Sequence, residues 1–284
     1  MKNIFIFLAL LFLLSCTSQN TKIDDKVDKV IKVEKYVTLK SLDSIKENDT
    51  VFFKSPDGKS YLVTNTAQTD DESEESMESS RAAASASKIV NKPCTSEDFD
   101  GTDRKKAKLS FATAKEEAFA NLGALMAILP SDNSMGSTHI PAITTTSTSN
   151  RVKEEKRNVH VLQTYIYAFS RESDEDYHVI IGTTNNKNNA VFFNAEISGL
   201  PPSSSSSYPG INNARKKFSD YFGLKNNCHG GYITRFIDQP VKVELKGSLF
   251  FDKLHYDNHA SIGTKPAKPA TYWEIHPVND IVFL

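Results

Sequence analysis

The segment Val241–Leu249, VKVELKGSL, alternates apolar and polar residues more regularly than any other part of the chain. Successive side chains of a β-strand point to opposite faces, so this alternation predicts a strand with one buried and one solvated face. A strand of this kind is stable only when other strands pair with it. The flanking sequence supplies candidates for that pairing.

Four further segments have strand-type patterns, and one has the pattern of a helix. The predicted strands are Val159–Ser170, Tyr177–Gly182, Ala190–Ile197 and Tyr272–Phe283. Ile211–Leu224 repeats apolar residues at helical spacing, with Gly223 near its end, which predicts a helix. Three strands, a helix and two strands follow the order of an OB-fold, a small five-stranded barrel. An open α+β sheet is the alternative; we favour the barrel because closure leaves no exposed strand edges.

Differences in amino-acid composition divide the chain before these strands into separate segments. Residues 92–284 are predicted to form the OB-like domain, which begins with a short helical segment within Ala112–Leu129. Residues 66–91 are acidic and rich in Ser and Ala, and are predicted to be a disordered linker because they cannot bury enough apolar surface. Residues 36–65 contain the turn Ser55-Pro56-Asp57-Gly58 between two apolar runs, which predicts a small β-hairpin. The predicted fold class is therefore mainly β (α+β).

The first residues of the chain have the features of an export signal. Lys2 carries a positive charge, and Ile4–Leu14 is an apolar run too short to span a membrane as a permanent helix. The run ends in Leu13-Leu14-Ser15-Cys16, which resembles the lipobox of bacterial lipoproteins. This resemblance implies that residues 1–15 are a signal peptide and that Cys16 carries acyl chains such as palmitate. The polar, charged composition after the cysteine predicts that residues 16–35 are a spacer from the membrane. An ordinary secretory signal with an incidental cysteine is the alternative.

Export places the protein in the cell envelope. By the same resemblance, Thr17 after the cysteine, where no Asp stands, points to the outer membrane and leaves the membrane face open. Because an exported protein meets an oxidising compartment, Cys94 and Cys228 are predicted to form a disulfide. Two separate buried thiols are the alternative.

The charge balance and the motif content restrict the function classes. The chain has 34 Lys and Arg residues against 35 Asp and Glu residues, a net charge of -1. This balance disfavours nucleic acid as a partner, because nucleic-acid binding needs a basic excess or a basic stripe. The sequence contains no HExxH, GxSxG, Walker or CxxC motif. No cofactor is therefore indicated by a motif, and a divalent metal is the remaining candidate.

Seven ionisable residues lie in or beside the predicted strands: Asp176, His178, Glu196, Asp252, His255, Glu274 and His276. Asp176 and His178 are two residues apart, and so are Glu274 and His276. The two side chains of each pair therefore project from one face of their strand. If these faces meet, the group can bind a divalent metal that activates water, with His178, Glu196 and His276 as candidate ligands. A His/carboxylate pair acting as general acid and base is one alternative. The other is a buried hydrogen-bond network that fixes the strand ends.

Five short blocks in residues 93–284 carry a second resemblance. They are Glu172–Ile181, Asn194–Ile197, Ala214–Phe218, Phe250–His255 and Glu274–Val278. Together they resemble a group of uncharacterised exported bacterial proteins with an OB-like core. The chain departs from that group at Tyr256-Asp257, where Gly-Gln is usual. The resemblance implies the fold and the compartment and brings no activity.

Aromatic residues on the predicted strands offer another type of site. OB-fold faces bind oligonucleotides or oligosaccharides by stacking, and the candidates are Tyr165, Tyr167, Phe192, Phe193 and Trp273. The alternative is that these side chains belong to the core. The other histidines, His139, His160 and His229, have no charged partner in the sequence pattern and are predicted to be surface or loop residues.

These observations predict a lipid-anchored envelope protein whose OB-like domain is a non-enzymatic binding or structural module. Its expected partners are the membrane, through the lipid anchor, and a glycan or a protein. The alternative function is a metal-assisted hydrolase of the nuclease or phosphodiesterase type, using the Asp/His/Glu residues above.

Overall fold

The computed structural model describes Leu42 and residues 49–67, 97–172, 174–224, 233–259 and 267–284. Several predictions fall outside these residues, namely the signal peptide, Cys16, the spacer, residues 68–91 of the linker, the Cys94–Cys228 disulfide and His229. Among the described residues, no helix is both long enough and apolar enough to cross a membrane.

The described elements are mostly strands. The strands are β1 (Thr50–Lys54), β2 (Ser60–Ala67), β3 (Glu116–Phe119), β4 (Asn158–Arg171), β5 (Tyr177–Gly182), β6 (Phe192–Ile197), β7 (Ile233–Phe251) and β8 (Pro269–Phe283). The helices are α1 (Lys105–Lys108), α2 (Leu122–Met126), α3 (Asp132–Gly136), α4 (Tyr208–Phe222) and α5 (Lys253–Asp257), with a 3-10 turn at Lys153–Glu155.

Five strands close into a barrel. Their order is β4–β5–β6–β8–β7, and β7 pairs back to β4. The β6–β8 pair is parallel, whereas the other four pairs of the barrel are antiparallel. Helix α4 connects the third and fourth barrel strands. The prediction of a mainly β, OB-like five-stranded barrel is therefore confirmed.

The barrel interior is filled by one face of each strand. On β5, β6 and β8 the inward side chains are Tyr177, Val179, Ile181, Phe193, Ala195, Ile197, Trp273 and Ile275, all in one buried cluster. Helix α4 adds Phe218 and Phe222, whose rings contact Phe169 of β4 at centroid distances of 5.1 and 4.6 Å. The helix ends at Gly223, whose φ of 61° is the left-handed conformation that glycine adopts without penalty. The alternation in the sequence thus separates the apolar interior from a second, outward face.

Strand β7 is longer than predicted, because it begins at Ile233 instead of Val241. Its first part contains Asp238-Gln239-Pro240, which interrupts the apolar alternation. Tertiary pairing nevertheless holds this part, since Arg235 pairs with Asn65 of β2 and with Phe169 of β4. This part of β7 therefore pairs with both β2 and β4, and local periodicity does not reveal either pairing.

The helical pattern within Ala112–Leu129 is only partly realised. Leu122–Met126 forms the short helix α2, and its Leu122 and Leu125 are buried as the spacing predicts. Glu116–Phe119 is instead β3, which pairs in parallel with β4. The prediction of helix at residues 116–119 is wrong because edge pairing with the long strand β4 overrides the local pattern.

The predicted hairpin is present and extends the sheet of the barrel. Strands β1 and β2 pair with each other, and the turn between them is Ser55-Pro56-Asp57-Gly58, in which Gly58 has φ 84°. Strand β2 also pairs with β7. The Tyr61 hydroxyl lies 2.8 Å from the Tyr221 hydroxyl of α4, and both side chains are buried. The hairpin is thus held by sheet pairing and by helix contact, which a lone hairpin in water lacks.

Candidate functional site

The polar site residues lie on the outward face of β5, β6 and β8. His178 alternates with the inward Tyr177 and Val179, and Glu274 alternates with the inward Trp273 and Ile275. The register places His178 opposite Glu196, and Asn194 opposite Glu274. The structure therefore brings the carboxylates and imidazoles of three strands together.

This outward face is sealed by the chain itself. Residues 97–112, called here the covering segment, pair with the barrel through a bridge between Asp98 and Leu200. The backbone N–H of Asp100 also donates to the carbonyl of Asp174. The side chains of Asp176, Glu274 and His276 are 0% exposed, and Glu196 is 1% exposed. The site is an internal layer between the barrel and its cover.

Two arginines attach this region to the barrel. The Arg104 guanidinium binds the Glu155 carboxylate with both terminal nitrogens, each at 2.7 Å, and both side chains are fully buried. Arg151 donates to the carbonyls of Ala107 in the covering segment and His276 on β8, each at 2.7 Å. These hydrogen bonds fix the covering segment over the polar layer.

Glu196 is the centre of the polar layer. Its Oε1 accepts from His178 Nε2 at 2.8 Å and from the Asn194 amide at 2.9 Å. Its Oε2 lies 2.6 Å from His276 Nδ1. The Asn194 amide also donates to Glu274 Oε1 at 2.9 Å. One carboxylate therefore links two imidazoles, and one amide links two carboxyl groups.

Asp176 faces the other side of His276. The backbone N–H of Gly199 donates to Asp176 Oδ1 at 2.6 Å, and Asp176 Oδ2 lies 3.4 Å from His276 Nε2. Asp176, Glu196 and His276 offer ligand-type atoms that all lie within 4.8 Å of one another. The sequence predicted His178, Glu196 and His276 as the metal ligands. In the structure Asp176 takes the place of His178 in this group, because the His178 Nε2 atom is turned to Glu196.

Asp252 and His255 form a neighbouring buried pair. Asp252 caps α5 by accepting from the His255 backbone N–H at 2.9 Å, and its second oxygen binds His255 Nδ1. The charge of Asp252 acts on Glu274, so the pair is electrically part of the same layer. The positive charge of Lys108 in the covering segment acts on Asp252 and on His276. All seven predicted ionisable residues are thus buried around one layer.

The charges in this layer shift the pKa values in opposite directions. Burial alone would raise the pKa of Glu196, but the charges of His178 and His276 hold it well below its usual value. Burial would lower the pKa of His178, but Glu196 and Glu172 raise it well above 6.5. Burial, with the charges of Glu196 and Asp252, raises the pKa of Glu274 well above 4.5.

The remaining shifts follow the same physical causes. Burial, assisted by the charges of Lys108 and Arg151, lowers the pKa of His276 although Glu196 opposes this change. Burial would raise the pKa of Asp252, but His255 and Lys108 lower it to about 2. The layer thus holds ionised and neutral groups side by side, as a buried network or a ligand group requires.

Sequence reasoning missed several members of the layer. Asn194 precedes Glu196 by two residues on β6, so the same period-two rule could have found it. Lys108 and Arg151 come from segments outside the predicted strands, and no local pattern links them to His276. His139 and His160, for which the sequence pattern gives no charged partner, contact Glu154 at 2.9 Å and Glu244 at 3.0 Å. Both partners come from other segments of the chain.

Most of the candidate stacking residues are in the core. Tyr167, Phe192, Phe193 and Trp273 are buried, and Tyr165 is half-buried. Tyr167 and Phe192 pack edge to face at 5.0 Å, and Trp273 packs edge to face on Phe251 at 5.5 Å. These rings contribute to packing, and their faces are not presented together to solvent.

No protein-family model, no curated protein and no solved structure matches the chain. The resemblance to uncharacterised exported bacterial proteins therefore stays a prediction that rests on the short sequence blocks. The site has to be interpreted from its own geometry and chemistry.

Proposed function

We propose that this protein is a lipid-anchored cell-envelope protein whose OB-like domain is a non-enzymatic module that binds a protein partner. The observation that carries the proposal is the sealing of the Asp/His/Glu layer by the covering segment. Glu196, Glu274 and His276 make their contacts with other side chains of the chain itself. Such a layer supports the barrel as a buried polar network does.

The alternative, metal-assisted hydrolysis, needs a site that a substrate can reach. In the structure described, a substrate would reach His276 only if the covering segment moved. That movement would break the Arg104–Glu155 ion pair and the Arg151 hydrogen bonds. Zinc- or manganese-dependent cleavage of a simple phosphodiester by the full chain would overturn the proposal in favour of this alternative.

A protein partner suits the accessible surface better than a glycan or a nucleic acid. Stacking on sugars or bases needs exposed aromatic faces, and four of the five candidate rings are buried. The nearly equal numbers of acidic and basic residues also lack the basic excess that nucleic acid needs. Ile140, at 92% exposure, is a large apolar side chain of the kind that protein interfaces cover.

Ile140 also lies in a fixed loop. The neighbouring His139 binds the Pro141 carbonyl at 2.6 Å and the Glu154 carboxylate at 2.9 Å. These contacts hold the loop in place, so the exposed side chain is presented without a large ordering cost on binding. This loop is the surface at which we expect a partner to be detected.

The lipid anchor is proposed from the sequence around Cys16. The apolar run before this residue suits a cleaved export signal, and the cysteine follows Ser15 directly. Each methylene of an acyl chain buried in a bilayer contributes about 0.8 kcal/mol, so several chains anchor a protein stably. The outer membrane is the proposed location.

Cys16→Ser is expected to abolish lipid attachment and membrane retention. In cells fed an alkyne-tagged palmitate, the wild-type chain is expected to be labelled and to sediment with membranes. The variant is expected to be unlabelled and to leave the membrane fraction or keep its signal peptide. Cys228→Ser is the matched control, because it removes a cysteine far from the signal and should keep the label. Equal labelling of wild type and Cys16→Ser would contradict the anchor.

A photo-crosslinking residue at position 140 is expected to give one discrete, heavier adduct in intact cells. Lys216 on α4, whose side chain is 71% exposed, is the control position and should give no such adduct. Protease treatment should remove the added mass, which distinguishes a protein from a glycan. An adduct that resists protease, or equal adducts at both positions, would argue against a protein partner at this loop.

A further inference from the structure

The loop that carries Ile140 is fastened by the histidine beside it. His139 Nδ1 lies 2.6 Å from the carbonyl oxygen of Pro141, so this contact closes around Ile140. His139 Nε2 lies 2.9 Å from Glu154 Oε2, which joins the loop to the 3-10 turn Lys153–Glu155. Among the described residues, Ile140 is the most exposed of the large apolar side chains, at 92%. One imidazole therefore fixes the loop from which this side chain projects.

The two groups that face the imidazole can only accept hydrogen bonds. The Pro141 atom is a carbonyl oxygen, which has no hydrogen to donate. An ionised carboxylate has none either. The hydrogen bond from His139 lowers the pKa of Glu154, so this carboxylate is ionised at neutral pH. Each ring nitrogen of His139 thus needs an N–H to complete its contact.

Only the protonated imidazolium has an N–H at both ring nitrogens. A neutral ring has one N–H, so its other nitrogen turns a lone pair towards an oxygen acceptor, and the two repel each other. Loss of the proton to water therefore breaks either the hydrogen bond to Pro141 or the one to Glu154. In both cases the loop loses a point of attachment.

The surroundings of His139 favour the protonated ring. The titratable groups whose charges act on it are Glu154 and Glu155 of the 3-10 turn. Hydrogen bonds to Glu154 and to the Pro141 carbonyl, together with both negative charges, raise the pKa of His139 above 6.5 although burial opposes this change. The imidazolium is therefore the stable form at pH 6.5 and below. Its proton is lost as the pH rises through the raised pKa.

The turn on the other side of this contact is firmly placed. Glu155, next to Glu154, accepts from both terminal nitrogens of the buried Arg104 at 2.7 Å. Lys153, the other charged residue of the turn, adds a small lowering of the pKa of Glu154 to that caused by His139. When the contact breaks, the gain in mobility is therefore expected in the loop.

His139 differs from the histidines of the polar layer in its access to water. Its side chain is 12% exposed and that of Glu154 is 32% exposed, whereas His276 is 0% exposed. Water can take up the proton directly, so His139 responds to the pH of the surrounding solution. Histidine is the side chain whose charge normally changes within the physiological pH range.

We propose that protonated His139 is a pH-dependent latch that holds the Ile140 loop in the conformation that binds the protein partner. With the latch closed, Ile140 is presented in a fixed position. With the latch open, the loop has to be ordered during binding, which lowers the affinity. The partner should therefore bind more tightly in mildly acidic than in alkaline solution. The partner in this inference rests on the proposed function, whereas the latch itself can be measured without a partner.

The latch is tested on the full chain in detergent by ¹⁵N NMR at pH 6 and pH 9. At pH 6 both ring nitrogens of His139 should carry a proton, and the order parameter of the Ile140 amide should be that of rigid backbone, about 0.85. At pH 9 the ring should be neutral, and the order parameter should fall to about 0.6 or below. A ring that keeps both protons at pH 9, or a loop with the same order at both pH values, would overturn the latch.

Three variants identify the group responsible, and the wild-type measurement stands even if a variant fails to fold. His139→Gln cannot titrate, so the order of its loop should no longer depend on pH. Glu154→Gln keeps an oxygen acceptor but loses the charge, so the transition should move to lower pH. His160→Gln is the matched control, because it removes an imidazole of β4 that also contacts two carboxylates, and it should leave the transition unchanged.

Photo-crosslinking at position 140 in isolated membranes separates this inference from the proposed function. The adduct should be about 2–10-fold more abundant at pH 6 than at pH 9, which corresponds to ordering about one side chain on binding. With His139→Gln the two yields should be equal. No adduct at either pH, with loop order that changes as expected, would refute the protein partner and support the latch. Equal adduct yields in the wild-type background would overturn the control of binding by His139.

Discussion

Arg104→Met is expected to lower the free energy of unfolding by about 3–5 kcal/mol, the cost of breaking a buried ion pair by removing one partner. The Arg104 guanidinium and the Glu155 carboxylate are fully buried and meet through two hydrogen bonds of 2.7 Å. Glu155 also accepts from the backbone N–H groups of Val152 at 2.7 Å and Phe251 at 2.9 Å. Without Arg104, a buried carboxylate keeps two neutral donors and loses its counter-charge.

The chain contains a matched control for this prediction. Arg157 also binds a carboxylate, that of Glu117, with two hydrogen bonds, from Nε and Nη2, but the side chains are 26% and 43% exposed. Water screens such a pair, so Arg157→Met should cost no more than about 1 kcal/mol. Urea unfolding of both variants, followed by circular dichroism, measures the difference.

A double variant tests the cause of the loss. Arg104→Met combined with Glu155→Gln removes both charges, and the Gln oxygen can still accept from Val152 and Phe251. It should recover most of the stability that Arg104→Met loses, because the uncompensated charge is gone. If Arg104→Met costs no more than Arg157→Met, the Arg104–Glu155 pair does not secure the covering segment.

The stability of the protein is expected to fall from pH 6.5 to pH 8, and to fall again below about pH 4.5. Above pH 6.5 the unfolded chain has released the proton of His178, whereas the folded chain, in which this pKa is raised, still keeps it. The raised pKa of Glu274 acts in the same direction from about pH 4.5 upward, until its folded pKa is reached. Each proton that only the folded state holds lowers the stability by about 1 kcal/mol per pH unit, until the folded pKa is reached.

The lowered pKa values determine the acidic limit. Below about pH 4.5 the unfolded chain takes up protons on Glu196 and Asp252, and the folded chain holds these groups ionised. Between the two limits the lowered pKa of His276 and the raised pKa of Glu274 act on the stability in opposite directions. Urea unfolding from pH 4 to 9, with a chelator present, measures this profile.

Glu274→Gln isolates one of the two protons. The Gln side chain keeps an oxygen for the Asn194 amide but cannot ionise, so the loss of stability with rising pH should become smaller. Asp220→Asn, a change on α4 at the surface where Asp220 pairs with Lys216, is the control and should leave the profile between pH 6.5 and 8 unchanged. A wild-type protein that becomes more stable from pH 6.5 to 8 would refute the assigned directions.

Much of the fold follows from local patterns. The bounds of β5 and the Gly223 end of α4 were predictable because alternation and helical spacing act over a few neighbouring residues. The same alternation predicts that His178 and Glu274 point away from the core. The prediction of helix at residues 116–119 failed because pairing with β4, more than 40 residues later, decides the state of that segment.

The sequence by itself determined which side chains share a strand face, and therefore which residues could form the polar layer. The tertiary structure decided that residues 97–112 cover this face, that Asp176 and not His178 faces His276 Nε2, and that Lys108 and Arg151 act on it. The physical reason is the sequence distance over which each property is determined. Side-chain direction is set by neighbouring dihedral angles, whereas burial and charge partners depend on segments that meet only after the barrel closes.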